Sequence, residues 1–526
     1  MWACCYVGGN PLREGANGWY RERVDKDNRL RKIPVDDRTL ARAVACLPLA
    51  LPVWPPQDAL AGPAEHMAMS LRDDPLPGEP FTELGYARRL IHVFGPRLRH
   101  VGAWNRWLVW DGRRWVHDTE GQADRWQKIV ARRVTNAALD IADEAARKAA
   151  LHVARRHESA AGVAGALKLA STEAEIAIGP GQLDTHPHLL NCANGVLDLR
   201  VGELQPHDPA LLLTKITNAS YVPDATGDLF ASFLGGIQPD QEVRDYLGRL
   251  LGGCGLLGEV VDHVLGIFWG SGANGKSTLM AAVDHALGDY AAPADPELLT
   301  ARSFDAHPTG TADLFGLRLA VLHEADSGRR LAEGTVKRLT GGDRVKARRM
   351  REDFWSFEPS HTFVMLTNHK PIITGNDEGV WRRVRLVPFT VSIPEADRDT
   401  RLPEKLAAEA DAVLAWLVRG HIGWRVGGLD DPPAVLEATA EYRRESDTHR
   451  RFLDECCLLG PYHRCRSSDL FGRWRAWCKR EGIDEPGTQK AFTTALQNLG
   501  YDTDRTSVGV FWLGIGIAAD DDEANQ

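Results

Sequence analysis

Nine consecutive residues, Gly270, Ser271, Gly272, Ala273, Asn274, Gly275, Lys276, Ser277 and Thr278, have types and spacing suited to holding a polyphosphate. Glycine at both ends of the loop lets backbone N–H groups approach phosphate oxygens without interference from a Cβ atom. Lys276 would neutralise the β- and γ-phosphate oxygens and Ser277 would ligate Mg²⁺. A helix beginning near Thr278 would aim the positive end of its dipole at the same anion. The bland alternative is a Gly-rich turn with an exposed lysine, but the apolar VLGIF before the loop and the amphipathic stretch after it favour the phosphate site. Such a site also needs a carboxylate at the tip of a neighbouring strand, to hold the metal and polarise the attacking water. The apolar run from Leu317 to Leu322 ends at Glu324, the first candidate, with Asp326 in reserve; otherwise both acids lie on a solvated loop with His323 packed beside them. A second apolar run, in HTFVMLTNHKP, ends at Asn368, whose amide could contact water and the γ-phosphate together; its bland alternative is an asparagine closing a turn. The expected chemistry is hydrolysis of ATP with Mg²⁺.

These residues need a buried strand, a glycine loop and a helix in succession, followed by further strands. That is an α/β fold, a P-loop NTPase core expected over residues 226–392. Before it, residues 1–80 form an N-terminal segment and a linker whose prolines at 48, 52, 55, 56, 63, 75, 77 and 80 exclude long regular structure. Residues 81–225 are expected to be an α+β accessory domain. It has a helix at ELGYARRLIHVF, a hairpin turning at Asp111 and Gly112, Ala- and Arg-rich helices from Gln122 to about Ile178, and two strand-like pieces in LLNCANGVLDLRVGEL. The hairpin tryptophans Trp104, Trp107, Trp110 and Trp115 could stack bases, although packing across strands is the more ordinary use. Residues 393–450 are a helical extension, with helices expected from Pro403 to Trp424 and from Pro433 to about Leu458. The order helix, helix, hairpin over 451–517 predicts a winged-helix domain, with Ser467 or Ser468 capping its first helix and Gly500 ending its second. Such a domain would put its second helix in a major groove, or else contact protein alone. Residues 518–526 are an acidic tail.

The chain has 526 residues, a 43% apolar fraction and a formal charge of −9. That length predicts several domains, and that charge requires any nucleic-acid contact to come from a local basic concentration. Residues 337–351 supply one: seven basic residues against the single acid Asp343. Nine cysteines, odd in number and without a CxxC pair, argue against a disulfide framework and fit a reducing cytoplasm. Cys456, Cys457, His463, Cys465 and Cys478 are too irregularly spaced for an ordinary zinc site, and buried thiols are the expected reading. No apolar run is long enough to span a bilayer, and no signal core follows the N-terminus.

The pieces GSGANGKST, EGTVKRLTGGDRVKARRMREDFWSF, TNHKP and NDEGVWRRVRLVPF, with LLNCANGVLDLRVGELQPHDP upstream, resemble superfamily 3 helicases of the phage or plasmid and poxvirus-type primase-helicase family. The resemblance implies an AAA+-like core assembled as a homo-oligomeric, hexameric ring that hydrolyses ATP between subunits and translocates on single-stranded DNA. The implied protein is a replicative helicase of a phage, prophage or plasmid, working in the host cytoplasm, with origin duplex DNA and a primase or polymerase as further partners. Carried over, the family's arginine finger falls on Arg382, with Arg383 adjacent and Arg385 further along. Its DNA-contacting hairpin falls in DRVKARRMRED, with Lys346, Arg348, Arg349 and Arg351 as contacts. The chain departs from the larger members at its N-terminus, where VDKDNRLRK and VDDRTL sit in polar surroundings unlike a primase metal site. A bifunctional primase-helicase using acids such as Asp25 or Asp36, and an ATP-regulated DNA-binding switch or assembly factor, are the alternatives.

Overall fold

The computed structural model describes residues 74–518, apart from 302–308, 324–329, 349–353, 374–376 and 482–485, together with four short strands further upstream. Those strands, Tyr6–Val7, Asn10–Gly15, Gly18–Val24 and Leu30–Pro34, pair in sequence as an antiparallel meander.

Five short runs rich in Leu, Val, Ile and Phe form one parallel sheet. They are β1 (Leu265–Trp269), β2 (Ala291–Ala294), β3 (Leu319–His323), β4 (Thr362–Thr367) and β5 (Val384–Pro388), in the spatial order β2–β3–β4–β1–β5. Every neighbouring pair is parallel, so the sheet must be covered on both faces, and its central strands are apolar at nearly every position. The side chains divide by alternation. Phe268, Val321, Val364, Leu366 and Val387 enter the core shared with Leu279, Val283 and Leu287 of the helix after β1, whereas Leu265, Ile267, Leu322, Phe363, Met365 and Leu386 enter the core beneath Leu339, Trp381 and Tyr442. That helix, α1 (Lys276–Leu287), starts two residues earlier than Thr278.

The part before the sheet packs helices Glu83–Phe94, Gln122–Leu139, Glu144–His157 and Ala160–Ala170 beside a four-stranded sheet of Trp115–His117, Arg106–Trp110, Leu98–Val101 and Ala177–Ile178. Trp104, Trp110 and Trp115 are buried and Trp107 is half-buried, so these tryptophans pack rather than present open faces. Where two strand pieces were expected, three pair: Leu189–Cys192, Gly195–Asp198 and Glu203–Gln205. Arg318, buried one residue before β3, joins this part to the sheet. Its guanidinium donates to the carbonyls of Leu256 and Leu189 and lies 4.5 Å from the Tyr290 ring centroid.

Beyond the sheet, helix Ala410–Gly427 packs on α1. The helical run expected from Pro433 to about Leu458 is divided. Pro433–Ser446 ends at Asp447, whose carboxylate accepts from Arg450 N at 3.0 Å and so starts Thr448–Cys456, and the chain then turns into a ten-residue strand, Cys457–Arg466. This strand pairs with Gly509–Ile517, which pairs with Thr503–Thr506. Helices Ser467–Arg480 and Gln489–Asn498 pack on that small sheet around Phe452, Trp474, Trp477, Phe492 and Trp512. Neither serine caps the first of them: Ser467 is its first helical residue, and Arg466 precedes it without a side-chain cap. Gly500, at φ +90°, follows the second. Cys456, Cys457 and Cys478 are buried and Cys465 half-buried, and burial pushes the Cys457 thiol up to about 12. No helix of the described residues is long and apolar enough to cross a membrane.

Candidate active site

The loop Gly270–Thr278 leaves the carboxyl end of β1, which lies between β4 and β5, and enters α1. In open parallel sheets, crevices for ligands form at such carboxyl ends, where connections diverge to opposite sides. Two glycines are required by geometry. A Cβ on Gly270 would lie 2.2 Å from Asn274 Nδ2 and 2.3 Å from the Phe389 carbonyl oxygen. Gly275 has φ +79°, and its Cβ would lie 2.4 Å from Ile237 Cγ2. The loop is moored to the end of β5 on two sides: Asn274 Nδ2 donates to Phe389 O at 3.3 Å, and Ile393 N donates to Ala273 O at 2.8 Å. Ser271, Ala273 and Ser277 are exposed, while Gly272 and Thr278 are half-buried.

Lys276 is buried at the base of this loop. Its ammonium donates to Gly270 O at 2.8 Å and to Asn368 Oδ1 at 3.2 Å. Asn368 follows the last residue of β4, so adjacent strand tips bring together a cation and an amide that stand 92 residues apart. Burial holds the Lys276 ammonium below the usual lysine range, because desolvation penalises its charge. A polyphosphate would supply counter-charge there. The glycine-walled cradle and the desolvated cation therefore fit a nucleotide's phosphates. Strand β3 ends at the exposed His323, immediately before Glu324; Glu324 and Asp326 lie outside the described residues.

The three arginines after Trp381 are separated by their surroundings. Arg382 is exposed at the end of the short helix Glu378–Trp381. Asp377 caps that helix through Gly379 N at 2.7 Å and pairs with Lys337 at 2.5 Å, a contact that holds its carboxyl below the usual range. Arg443 braces the same helix through Glu378 at 2.6 Å. Arg383, expected beside Arg382 in the catalytic set, is instead turned inward: Nε donates to Thr340 Oγ1 at 3.1 Å and Nη1 to Gly379 O at 2.6 Å. It cannot reach a neighbouring molecule without unpacking its own turn. Arg385 pairs with Asp431 at 2.6 Å.

The basic run after β3 is also divided. Lys337 is committed to Asp377, and Arg344 lies 3.6 Å from Glu358. Lys346 and Arg348 belong to an antiparallel hairpin of Val345–Ala347 and Trp355–Phe357, and both cations sit over the Phe354 ring, at 4.6 and 4.8 Å from its centroid. Arg349 and Arg351 lie outside the described residues. The hairpin's root is aromatic: Trp355 and Phe357 pack on Phe315, and Trp355 meets Trp104 of the preceding part at 6.0 Å.

Residues 87–239 match the family described as D5 N terminal like, and residues 268–383 match a family of unknown function, DUF5906. A protein of Acanthamoeba polyphaga mimivirus provisionally named helicase L207/L206 is 31% identical over 335 residues, covering 58% of this chain and 35% of that protein. A Frog virus 3 protein provisionally named helicase 022R is 29% identical over 268 residues, 47% of this chain and 27% of its own length. An African swine fever virus protein provisionally named primase C962R is 27% identical over 306 residues, 53% of this chain and 32% of its own. This chain is related to the D5-like primase-helicases. It spans about a third of the length of the curated relatives it matches. Among solved structures, the apo C-terminal region of NrS-1 aligns with 82% of this chain and 99% of itself, at 10% identity and a TM-score of 0.44.

Several residues around the site gave no signal of their own. Ile237, on helix Asp228–Ile237, and Phe389, beyond β5, wall the loop from 38 residues before and 114 residues after Gly275, which periodicity cannot pair with it. Lys370 lies 4.6 Å from the Trp269 ring at the end of β1 and 2.7 Å from Glu445, linking the strand before the loop to helix Pro433–Ser446. Its place in TNHKP, two residues after Asn368, was the available clue.

Proposed function

We propose that this chain is an ATP-dependent DNA helicase of the superfamily 3 type, acting in replication of a phage, prophage or plasmid. The reading is carried by Lys276, a buried cation shared between its own loop and Asn368 at the carboxyl edge of a parallel sheet. Ring assembly would bring Arg382 of one subunit to the nucleotide of the next, where a guanidinium stabilises charge developing on the γ-phosphate. Lys276 would bind and orient the β- and γ-phosphates, Asn368 would hold the water or the γ-phosphate oxygen released when Lys276 turns to the nucleotide, and Ser277 would take one metal position with Glu324. Mg²⁺ bound there would offset phosphate charge and polarise the attacking water.

Strand β4 supports a coupling to DNA. The hairpin ends at Phe357, a four-residue link precedes the amino end of β4, and Asn368 follows the carboxyl end, so that link and six residues of strand, about 20 Å, join the two. A shift of Asn368 with nucleotide state would be transmitted along a rigid element to Lys346 and Arg348. The C-terminal unit fits a winged helix with Gln489–Asn498 as the groove-reading helix: Gln489, Lys490, Thr493, Thr494 and Gln497 line a cavity of about 720 Å³ with the turn at Val508 and Gly509. A primase activity is a second reading, favoured by the names of the African swine fever virus relatives alone.

The test is the ATPase rate with and without single-stranded DNA, alongside strand displacement from a forked duplex, for wild type and Lys276→Ala. DNA-stimulated hydrolysis with unwinding, both lost in the variant, is expected. Hydrolysis indifferent to DNA, with no unwinding, would move the protein to the switch or assembly class.

A further inference from the structure

The hairpin carries three aromatic residues within four positions, and they are used differently. Trp355 and Phe357 are consumed in rooting it on Phe315 and Trp104. Phe354 has no such part: it is 51% exposed, and among the described residues Phe354 and Tyr462 are the aromatic side chains that stand out among the exposed large apolar ones. Its ring is covered by Lys346 and Arg348. A half-exposed apolar ring flanked by two cations has the composition of a platform for single-stranded nucleic acid, in which a base takes the ring and the cations take the adjoining phosphates.

We propose that Phe354 is the base-stacking residue of a single-stranded nucleic-acid site whose phosphate contacts are Lys346 and Arg348. The proposal rests on the reading of this hairpin as the DNA contact and names the chemistry that reading lacks. Binding is an exchange. Without nucleic acid, the two cations shield the ring, each contact worth a factor of about two to five in an equilibrium constant at an exposed site. A base stacked on the ring is worth a factor of about five to 150, and the displaced cations gain phosphate partners, so the exchange runs toward the bound state. Stacking uses the face that every base has, so this platform accepts any sequence, as translocation along a strand requires.

The test compares the full chain's binding to a labelled oligodeoxythymidylate and to an abasic oligonucleotide of equal length, by fluorescence anisotropy at fixed salt and over a salt series. Phe354→Ala and Phe354→Leu are expected to weaken oligodeoxythymidylate binding about five-fold to 150-fold while leaving abasic binding no weaker, since the cations then give up no ring contact to reach phosphate, and Phe354→Trp to retain both. Lys346→Ala and Arg348→Ala are expected to weaken both probes alike and to reduce the log–log salt slope by about 0.7 each. If Phe354→Ala leaves oligodeoxythymidylate binding intact, or weakens both probes equally, stacking is overturned while the basic residues keep their role. If the wild-type chain binds neither probe, the hairpin's assignment to DNA falls and takes the proposal with it.

Discussion

Gly275 and the two arginines after Trp381 show how much rests on single positions. At Gly275 a methyl group would meet Ile237 Cγ2 at 2.4 Å in a left-handed backbone that costs a non-glycine residue on the order of 1–3 kcal/mol. Gly275→Ala should therefore lose nucleotide affinity and lower the melting temperature together, measurable by titration of a fluorescent ATP analogue and by thermal unfolding. Arg382→Ala and Arg383→Ala should separate. The first removes an exposed side chain, and should leave stability within about 0.5 kcal/mol and ATP binding intact while turnover stops. The second strips buried hydrogen bonds from Thr340 and Gly379, and should cost on the order of 2 kcal/mol in urea unfolding. Equal loss of stability in both would contradict their different burial. The strand-loop-helix order around Gly270–Thr278 was legible residue by residue because glycine sterics and periodicity act locally. Adjacent arginines were not, because nothing in RRVR says which guanidinium turns inward.

Among the elements, β4 and the helices behind the sheet carry a pH dependence that the motifs do not suggest. His361 sits just before β4, and His421 lies within Ala410–Gly427. Both are almost fully buried, and burial lowers them to about 4 and about 3 respectively. Both values lie below that of an exposed imidazole, so the unfolded chain binds more protons than the folded one between about pH 6.5 and pH 4. Their contribution is present in full above that window and is lost as pH falls through it. Between pH 7 and pH 5 each should remove about 2 kcal/mol, so the urea midpoint should drop over that interval and drop less in His361→Phe or His421→Leu. A midpoint unchanged from pH 7 to pH 5 would show that these imidazoles are hydrated in the folded protein. The strands themselves were readable as apolar runs, but the division of the helix expected over Pro433 to about Leu458 was not. Asp447 reads equally well as a mid-helix surface residue until Arg450 N is found on its carboxylate.

In the whole molecule, the sheet is tied to the part before it by Arg318, whose buried guanidinium satisfies two carbonyls, from Leu256 and Leu189. Burial lowers its pKa, and Arg318→Met, similar in length but without donors, should leave both carbonyls unpaired and cost on the order of 3 kcal/mol, read by denaturant unfolding. A stability unchanged in that variant would mean that water replaces the guanidinium. The chain's acidic balance makes the same point about scale: a charge of −9 says nothing of the short basic hairpin until the fold shows which cations are spent on Asp377 and Glu358 and which are left over Phe354. By itself, the sequence determined the loop and its lysine, the strand-loop-helix order and the apolar strands. These follow from backbone sterics and periodicity, which act over a few residues. Only the tertiary structure decided that Asn368 meets Lys276, that Ile237 and Phe389 wall the loop, and that Arg383 is buried while Arg382 is not. Those outcomes depend on which strand tips lie side by side and on which side chains the two cores enclose, and packing settles both across distances in the chain that no local pattern spans.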